Sequence, residues 1–597
     1  MSSGNDRWRK YAKLKFDGKK ISEGAKKAET ATARHAREFV VHRWDNIRES
    51  RRAIIFWMIV VGALIAAVGL QMTIFKNPHR TLATAPGGTY AEATLGPIDT
   101  LNPLYASSSA ELSASRLMFS SLYQYDTTGG LKADLAETMS VENDGKNYFI
   151  KIKDGVKWHD GEPLTAADVM FTLSIIKDPA SRSSMTASWQ GIDVEVQNDT
   201  TLKFTLPATI AAFPHALTFP VLPEHILKDV PASNLRENRF SNAPIGSGPF
   251  EFRRLQTVNV TNNTKILHAN RFEQYHGGVA KLDRFQLHAY ADREAIVTAL
   301  KTSEVNGAAH LQPGEAATAD SGRYDVLDVP VYGGVYALFN TDRGALSDKQ
   351  VRKALRLAVD TNKVRRSVGV QDRPLDLPFL NEQVAADLPT APAADSKKAA
   401  AELDAAGWRL DGDVRKKDGQ PLTIEVVTIK GSEYEKVVES LAGQWRSVGV
   451  DVKTSIVDAS GAGQDITQTV LRPRAYDVLV YELAIGADPD VYAYWHSSQA
   501  TQQGRNLSNY ASGLADDALV SARSRLENDL RGAKYASFAK VWLDDAPAIG
   551  LYQSNFTYVN TKKAQTLRPG SVITSSAARY ADVTDWTVER ETVYKTP

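Results

Sequence analysis

The sequence predicts a mixed α/β protein that follows a single membrane-spanning helix, and three observations support this fold class. Residues 53–75, from Ala53 to Phe75, form an uncharged apolar run of 23 residues, which is long enough to cross a bilayer. The 522 residues after this run exceed the size of a single core, so two or three domains are expected. Within them, strand-like and helix-like segments alternate, which indicates βαβ units and a largely parallel sheet.

The charge distribution predicts the orientation of this helix. Residues 1–52 carry 15 Lys and Arg against 7 Asp and Glu, a net charge of +8, whereas the residues after 75 carry 56 against 63, a net charge of −7. Basic residues that flank a spanning helix stay in the cytoplasm. The sequence therefore predicts a basic cytoplasmic segment (1–52), a transmembrane helix (53–75), a linker (76–86) and a large extracytoplasmic domain. This single pass would hold the protein at the cell membrane.

Two other interpretations of the apolar run stay open. A cleavable signal peptide usually has a shorter apolar core of about 7–15 residues. The Ala83-Thr84-Ala85 sequence resembles a cleavage site, but Pro86 directly after it disfavours cleavage. A buried core helix is disfavoured by the length of the run and by the basic cluster beside it.

Local patterns place the first elements of the external part. Residues 148–153 (YFIKIK) alternate as in a strand, and a second short strand and turn are predicted over 156–161. A helix then begins after Thr165, with Asp168 at the last position of a capping box.

The second half of the chain shows the same alternation more clearly. Ser347 and Gln350 form another capping box, followed by a helix with one apolar face. That face contains Val351, Leu355, Ala358 and Val359. The remaining predicted elements are helices over 395–406 and 433–446 and strands over 422–429, 450–457 and 476–481.

The motif content excludes most catalytic functions. The chain has no cysteine, which excludes disulfides, thiolate metal sites and cysteine nucleophiles. It also has no G-x-S-x-G elbow, phosphate-binding loop or H-E-x-x-H pair. No catalytic residue, metal site or cofactor is predicted, and the acidic external part makes nucleic acid an unexpected partner. Asp488 and Asp490 either bind a cation or a ligand amine, or shape the turn after the 476–481 strand.

Ten short motifs follow one another in a particular order along the external part. The most specific is GVKWHDGEPLTAADV at 155–169. The others lie at 87–90, 99–103, 119–126, 135–137, 246–250, 336–340, 351–355, 488–490 and 545–552. In sequence and order they resemble the family 5 extracytoplasmic solute-binding proteins, the oligopeptide- and dipeptide-binding components of ABC importers. The resemblance covers about residues 87–563.

The resemblance implies a two-lobed, periplasmic-binding-protein-like fold with an extra subdomain on the first lobe. Lobe I would comprise residues 87–328 and a return at 546–597, and lobe II would comprise residues 329–545. The protein would perform no chemistry. It would hold a peptide in the cleft between the lobes and deliver it to permease and ATPase subunits of an ABC importer.

The resemblance also points to candidate ligand-binding residues. In peptide binders of this family, an aspartate shortly before the Asp-Pro-Asp motif pairs with the free amine of the ligand. That position falls on or near Ile485 here, and residues 482–487 contain no aspartate. Either Glu482 or Asp488 takes this role, or the ligand has no amine in that place. The further candidates lie near this motif or in a segment that crosses between the lobes: Asp490, Tyr492, Tyr494, Trp495, Tyr336 and Asn340.

Two alternatives to a peptide importer are carried forward. Other members of this family carry nickel complexes, haem, sugars or modified peptides, so a non-peptide ligand is the first. The second is an extracytoplasmic sensor that signals through the helix. It would need a signalling partner, because residues 1–52 contain no recognisable catalytic domain.

Overall fold

The structure, a computed structural model, describes residues 51–76, 80–319, 322–370, 372–458 and 466–594. The chain divides into two compact units, one formed by residues up to 83 and from 591 onwards, the other by residues 84–590. In the first unit, helix α1 (Arg51–Lys76) contains the predicted span, and its apolar side chains are exposed. Among the described residues, it is the one helix long and apolar enough to cross a membrane. The predicted cytoplasmic segment, apart from its last two residues, lies outside the described residues.

The strands of the described residues fall into one large sheet and four small ones. In chain order they are β1 (Arg80–Ala85), β2 (Thr89–Leu95), β3 (Tyr123–Tyr125), β4 (Leu131–Ala133), β5 (Ala136–Glu142), β6 (Asn147–Ile152), β7 (Asp193–Asn198), β8 (Thr201–Thr205), β9 (Phe250–Asn259), β10 (Thr264–Arg271), β11 (Arg284–Tyr290), β12 (Gly307–Ala309), β13 (Tyr324–Phe339), β14 (Arg409–Asp411), β15 (Val414–Lys417), β16 (Gln420–Pro421), β17 (Thr423–Ile429), β18 (Asp451–Val457), β19 (Val478–Leu483), β20 (Ala548–Thr561) and β21 (Glu589–Tyr594).

Fourteen α-helices follow α1 in the described residues, and most pack against these sheets. They are α2 (Ser109–Met118), α3 (Ala166–Lys177), α4 (Thr186–Trp189), α5 (Phe213–Ala216), α6 (Glu224–Leu227), α7 (Arg293–Lys301), α8 (Pro313–Ala316), α9 (Lys349–Leu357), α10 (Thr361–Val368), α11 (Ser396–Ala405), α12 (Ser432–Arg446), α13 (Tyr492–Trp495), α14 (Gly513–Arg523) and α15 (Asn528–Asp545). Short 3-10 helices lie at Pro103–Tyr105, Pro179–Ser181, Ala232–Asn234, Arg239–Ser241, Gly344–Ser347, Asn381–Gln383, Ser497–Gln499, Ser576–Tyr580 and Val583–Asp585, and one π-helix lies at Thr467–Leu471.

The large sheet has ten strands in the order β18-β17-β19-β13-β20-β12-β2-β11-β10-β9. The β18-β17-β19 group is parallel, as the βαβ pattern predicts. The prediction of a largely parallel sheet is wrong for the whole, however: of the nine neighbouring pairs, four are parallel and five antiparallel. The antiparallel pairs are those of the β9-β10-β11 meander, those of β20 with β12 and β13, and that of β13 with β19.

Successive side chains of the central strands pack into two separate apolar cores. Along β13, Val335, Ala337 and Phe339 join one apolar cluster, whereas Tyr336 and Leu338 join another. Side chains alternate between the faces of a strand, so these clusters cover the two sides of the lobe II sheet. The lobe I clusters contain residues 90–329 and 556–586. The chain thus passes from the lobe I core to the lobe II core within residues 329–335 and returns within residues 552–556. The lobe boundaries predicted from the sequence lie at 329 and 546.

A four-stranded antiparallel sheet forms the subdomain attached to lobe I. Its order is β5-β6-β8-β7, and α3 packs beside it. The predicted cap of α3 is present, since the backbone N–H of Thr165 donates to Oδ2 of Asp168 at 2.8 Å. The prediction of a second strand within 156–161 is wrong. Lys157 makes only an isolated bridge to Pro163, which closes a loop instead.

The loop at 246–250 shows why that motif needs glycine. A Cβ on Gly246 would lie 1.9 Å from the carbonyl oxygen of Met118, and one on Gly248 would lie 2.6 Å from its carbonyl carbon. The N–H of Gly248 instead donates to that oxygen at 2.9 Å. His159 fills the other side of the loop, where its backbone N–H donates to the carbonyl of Gly246 at 2.8 Å.

The helix predicted after Ser347 begins one residue later than expected. Asp348 caps α9, because its Oδ1 accepts the N–H of Gln350 at 2.8 Å, while Ser347 ends a 3-10 turn. The predicted apolar face is buried as expected. Residues 80–85, in the predicted linker, form β1, which pairs with β21.

Two long strands connect the lobes. β13 and β20, of 16 and 14 residues, are paired antiparallel from Tyr324 opposite Thr561 to Leu338 opposite Ala548. The register shifts between Pro330 and Gly334, where residues 331–333 stand against Ser554 alone. The lobes are therefore joined by a hydrogen-bonded ribbon with a bulge near its middle.

Candidate ligand-binding cleft

A cavity of about 1170 Å³ lies between the lobes. Lobe I contributes the end of β2, the start of α7 and the segment after β12, and lobe II contributes the ends of β17 and β19 and the start of α12. Part of β20 completes the wall. In open α/β sheets, ligands bind at the carboxyl ends of the strands, and β2, β12, β17 and β19 all end here. The polar and charged residues of its walls include Arg293, His310, Glu315, Lys430, Glu433, Tyr434, Asp458, Glu482 and Tyr552.

Two carboxylates face this cavity with tyrosine hydroxyls as their partners. The hydroxyl of Tyr552 donates to Oε1 of Glu433 at 2.7 Å, and that of Tyr434 donates to Oε2 of Glu482 at 3.2 Å. Among the described residues, no Lys, Arg or His lies within salt-bridge distance of either carboxylate. Burial raises the pKa of the Glu433 carboxyl, and the charge of Glu482 raises it further, against the hydrogen bond from Tyr552. Both groups can therefore accept more hydrogen bonds, preferably from a cation.

Of the three Lys and Arg side chains that line the cavity among the described residues, two are already engaged, and the third, Lys436, is exposed. Nε of Arg293 donates to the carbonyl of His310 at 2.9 Å and lies 3.7 Å from Oε2 of Glu315. Lys430 pairs with Asp458 at 2.8 Å at the exposed rim. Burial lowers the pKa of His310 to about 3, helped by the charges of Arg579 and Arg293, so its imidazole is neutral at ordinary pH. The available charge of the cavity is thus negative.

The Asp-Pro-Asp loop presents a different arrangement. Asp488 accepts two hydrogen bonds from Arg531, at 2.7 and 2.5 Å, and both side chains are only 11% exposed. Asp490 accepts from Nε of Arg523 at 2.9 Å. Its Oδ1 also accepts the N–H of Tyr492 at 3.3 Å. These two carboxylates hold the loop against α14 and α15, and neither lines the cavity.

Asp488 also faces lobe I. Nε2 of His215 lies 3.7 Å from its Oδ2, and Nδ1 of the same imidazole is 3.0 Å from the hydroxyl of Tyr125. The N–H of Ala211 donates to the carbonyl of Arg523 at 2.9 Å nearby. The loop is therefore a place where the two lobes touch.

Three of the candidate residues belong to the core of lobe II. Tyr336 is fully buried and its hydroxyl donates to the carbonyl of Leu377 at 3.1 Å. Asn340 is buried, and its amide donates to the carbonyls of Arg474 and Tyr476, both at 3.2 Å. Trp495 packs edge-on against Tyr336 and Trp542.

The other two aromatic candidates, Tyr492 and Tyr494, are half-buried residues of α13, the helix that follows the Asp-Pro-Asp loop. Tyr492 stacks on His496 with ring centroids 4.1 Å apart, and the Arg523 guanidinium lies 4.4 Å above its ring. The hydroxyl of Tyr494 donates to the carbonyl of Ala484 at 2.7 Å. Of the eight candidates, Glu482 alone lines the cavity described here. Ile485 is buried in the apolar cluster.

Four residues of the cavity were not predicted from the sequence: Glu433, Tyr434, Tyr552 and Arg293. A signal for the first two was present, since they directly follow a predicted strand of a parallel group, where ligands bind. Tyr552 lies in the 545–552 motif, which was noted for its resemblance and not for a site. Arg293 begins a helix that no predicted element covers. No group of residues suited to hold a metal ion occurs among the described residues.

Known proteins resemble this chain in sequence and in fold. Residues 130–505 match the family "Bacterial extracellular solute-binding proteins, family 5 Middle". The oligopeptide-binding protein AppA of Bacillus subtilis is 28% identical over 486 residues, which cover 79% of this chain and 87% of that protein. Its structure in complex with a nonapeptide gives a TM-score of 0.69 at 24% identity, covering 85% of this chain and all of the other. NikZ from Campylobacter jejuni in complex with Ni(L-His) gives 0.70 at 25% identity, covering 84% and 99%.

Proposed function

Since the chain belongs to the family 5 bacterial extracellular solute-binding proteins, which are binding components of ABC importers and not enzymes, we propose that it is a membrane-anchored importer subunit that captures peptides. The peptide would occupy the cleft between the lobes and pass from there to the permease. The observation that carries this proposal is the 1170 Å³ cavity, which is walled by both lobes. It contains two carboxylates that have tyrosine hydroxyls, and no cation of the described residues, as partners. Drug-sized ligands occupy about 300–1,000 Å³, so the cavity has room for a short peptide and bridging water.

The arrangement of charges supports an amine contact at Glu482 and Glu433. A ligand ammonium between these carboxylates would form charge-assisted hydrogen bonds, which are among the stronger ones. Asp488 is a poorer partner, because the two bonds from Arg531 already occupy its oxygens. Of the two substitutes that the missing aspartate leaves open, the structure favours Glu482, assisted by Glu433.

The anchor is part of the proposal. Helix α1 has the length and composition of a membrane span, and the excess of Lys and Arg before it supports a cytoplasmic N-terminus. The ligand-binding lobes would then lie outside the cell membrane, where ligand capture is useful to an importer.

A non-peptide ligand is the second candidate, and one observation favours it. Ile485 is only 6% exposed and packs in the core, so the position of the family's amine-binding aspartate is filled by a hydrocarbon. NikZ, a similar fold, was solved with a nickel complex of histidine. A ligand with a metal complex or no amine would not need that aspartate.

Native mass spectrometry of the full chain, purified in detergent, separates these candidates. A heterogeneous set of short peptides released on denaturation, and lost in a Glu433→Gln, Glu482→Gln double variant, would support the peptide proposal. A single non-peptide mass would overturn it in favour of the second candidate. Co-purification of a permease, tested in the same preparation, would support the importer role against a sensor role.

A further inference from the structure

A second, smaller cavity of about 310 Å³ lies entirely in lobe I. Its walls come from α2, the β3–β4 hairpin, the loop after β10 and the 3-10 turns near the end of the chain. It shares no lining residue with the cleft between the lobes. Since a water molecule occupies about 30 Å³ in the liquid, the cavity holds on the order of ten waters.

Three cationic side chains line this cavity: Arg116, Lys132 and Lys153. Among the described residues, no carboxylate lies within salt-bridge distance of any of them. The one carboxylate in the wall is Asp134, whose side chain is 2% exposed. Its oxygens are already committed, as Oδ2 accepts the N–H of Ser121 at 3.0 Å and Oδ1 lies 2.8 Å from Nε2 of His276. The cavity therefore carries an excess of positive charge.

His276 provides an independent indication of a ligand. Its side chain is 6% exposed and lines the cavity, and its Nδ1 is buried with no hydrogen-bond partner in the part of the chain that the structure describes. A buried polar atom of this kind is costly to leave unsatisfied. With Nε2 donating to Asp134, an oxyanion beside Nδ1 would place a proton on that nitrogen too and satisfy it.

We propose that this cavity binds a small oxyanion of the phosphate class, held by Arg116, Lys132 and Lys153 with Nδ1 of His276 as a buried donor. Arg and Lys are the usual partners of phosphate oxygens, Arg through its two-pronged geometry and Lys as a point charge. The same chemistry would suit a free phosphate ion or the phosphate of a glycerol phosphate headgroup.

Calorimetric titration of the detergent-solubilised full chain tests the site. Inorganic phosphate and glycerol 3-phosphate are the two probes, and saturable binding of either is expected, with the tighter one identifying the source. The Lys132→Ala, Lys153→Ala double variant should bind about tenfold more weakly or worse, because charge-assisted hydrogen bonds are lost. The Lys146→Ala, Lys157→Ala variant is the matched control, since both lysines are exposed on the same lobe outside the cavity. Absence of saturable binding, or equal weakening in both double variants, would overturn the proposal.

The role of His276 has its own readout. Sulfate should bind about tenfold more weakly to the His276→Gln variant than to the unchanged chain. Glutamine keeps a donor for Asp134 but places none at the position of Nδ1, so a hydrogen bond to the anion is lost. An unchanged sulfate affinity in that variant would remove His276 from the site.

Discussion

The Asp-Pro-Asp loop and the cleft between the lobes each present a pair of carboxylates, and the two pairs have different partners. In the loop, Asp488 and Asp490 are bound by Arg531 and Arg523. In the cleft, Glu433 and Glu482 accept only tyrosine hydroxyls among the described residues. The loop carboxylates therefore stabilise the fold, whereas those of the cleft still have capacity for a ligand. The conspicuous sequence motif marks the structural pair, and the open pair has no motif.

The largest expected effect is on stability, and it tests the structural role of the loop carboxylates. Asp488→Ala leaves Arg531 buried without its partner, which costs about 3–5 kcal/mol for a buried pair. For a lobe of this size, that corresponds to a fall in the unfolding temperature of about 10 °C. Thermal unfolding of the detergent-solubilised chain, followed by near-ultraviolet circular dichroism, measures it.

The matched control for that experiment is Asp411→Ala. Asp411 pairs with Lys416 at 2.8 Å, but their side chains are 68% and 42% exposed. Exposed pairs contribute little to stability because solvent and salt screen them, so the unfolding temperature should hardly fall. Equal losses for Asp488 and Asp411 would contradict the structural role of the loop.

The next largest effect is on peptide affinity, and it tests the ligand-binding role of the cleft carboxylates. In the Glu433→Gln, Glu482→Gln double variant, the affinity for an amine-bearing peptide should fall by about 10- to 100-fold, since charge-assisted hydrogen bonds become neutral ones. The unfolding temperature should hardly change. Glu439→Gln, an exposed residue farther along α12 and outside the cavity, is the control. Loss of affinity with Asp488→Asn but not with the double variant would reverse the assignment of the two regions.

The pH dependence of binding sharpens the comparison further. The pKa of Glu433 is raised above its usual 4.5 by burial and by Glu482, so this carboxyl becomes neutral at a higher pH than an exposed one. Peptide affinity should therefore weaken as the pH falls from about 7 to about 5. The sign for folding is the opposite: the folded state binds this proton more tightly than the unfolded state, so the empty protein gains stability as the pH falls through the raised pKa. Glu433→Gln should flatten both trends, and an unaltered affinity profile in that variant would contradict the assignment.

The smallest effect concerns a hydroxyl. Tyr434→Phe removes the donor to Glu482, a contact at 3.2 Å to an exposed carboxylate. A single neutral donor is worth about 1 kcal/mol or less here, so peptide affinity should fall about two- to fivefold. Tyr494→Phe, which removes a hydroxyl outside the cavity, should leave the affinity unchanged. Titration calorimetry of both variants measures the difference.

Much of the fold could be predicted from the sequence because it is encoded locally. The strand at 422–429 and the helix after Asp395 appear within one residue of the predicted bounds, since each has its own periodicity and ends. The antiparallel pairs of the large sheet could not be predicted. β20 joins β12 and β13 from across more than two hundred residues, and no local pattern reports such a partner.

The candidate site was harder to predict for a related reason. Sequence spacing drew attention to Asp488 and Asp490, but their partners Arg523 and Arg531 come from helices farther along the chain. Whether a carboxylate is satisfied is a property of three-dimensional neighbours. Tyr336 and Trp495 were candidates as aromatic residues near a motif, and both are core side chains. Glu482 was identified because the family resemblance expects an amine-binding carboxylate shortly before the Asp-Pro-Asp motif.

The ribbon of β13 and β20 determines how the lobes can move relative to each other. A pair of hydrogen-bonded strands is stiff within the plane of the sheet and compliant in twist, so a swing between the lobes is steered along one path. The bulge opposite Ser554 interrupts the ladder and is where such a strip yields first. Closure of the lobes on a ligand would therefore bend this connection at the bulge, and release of the ligand would straighten it.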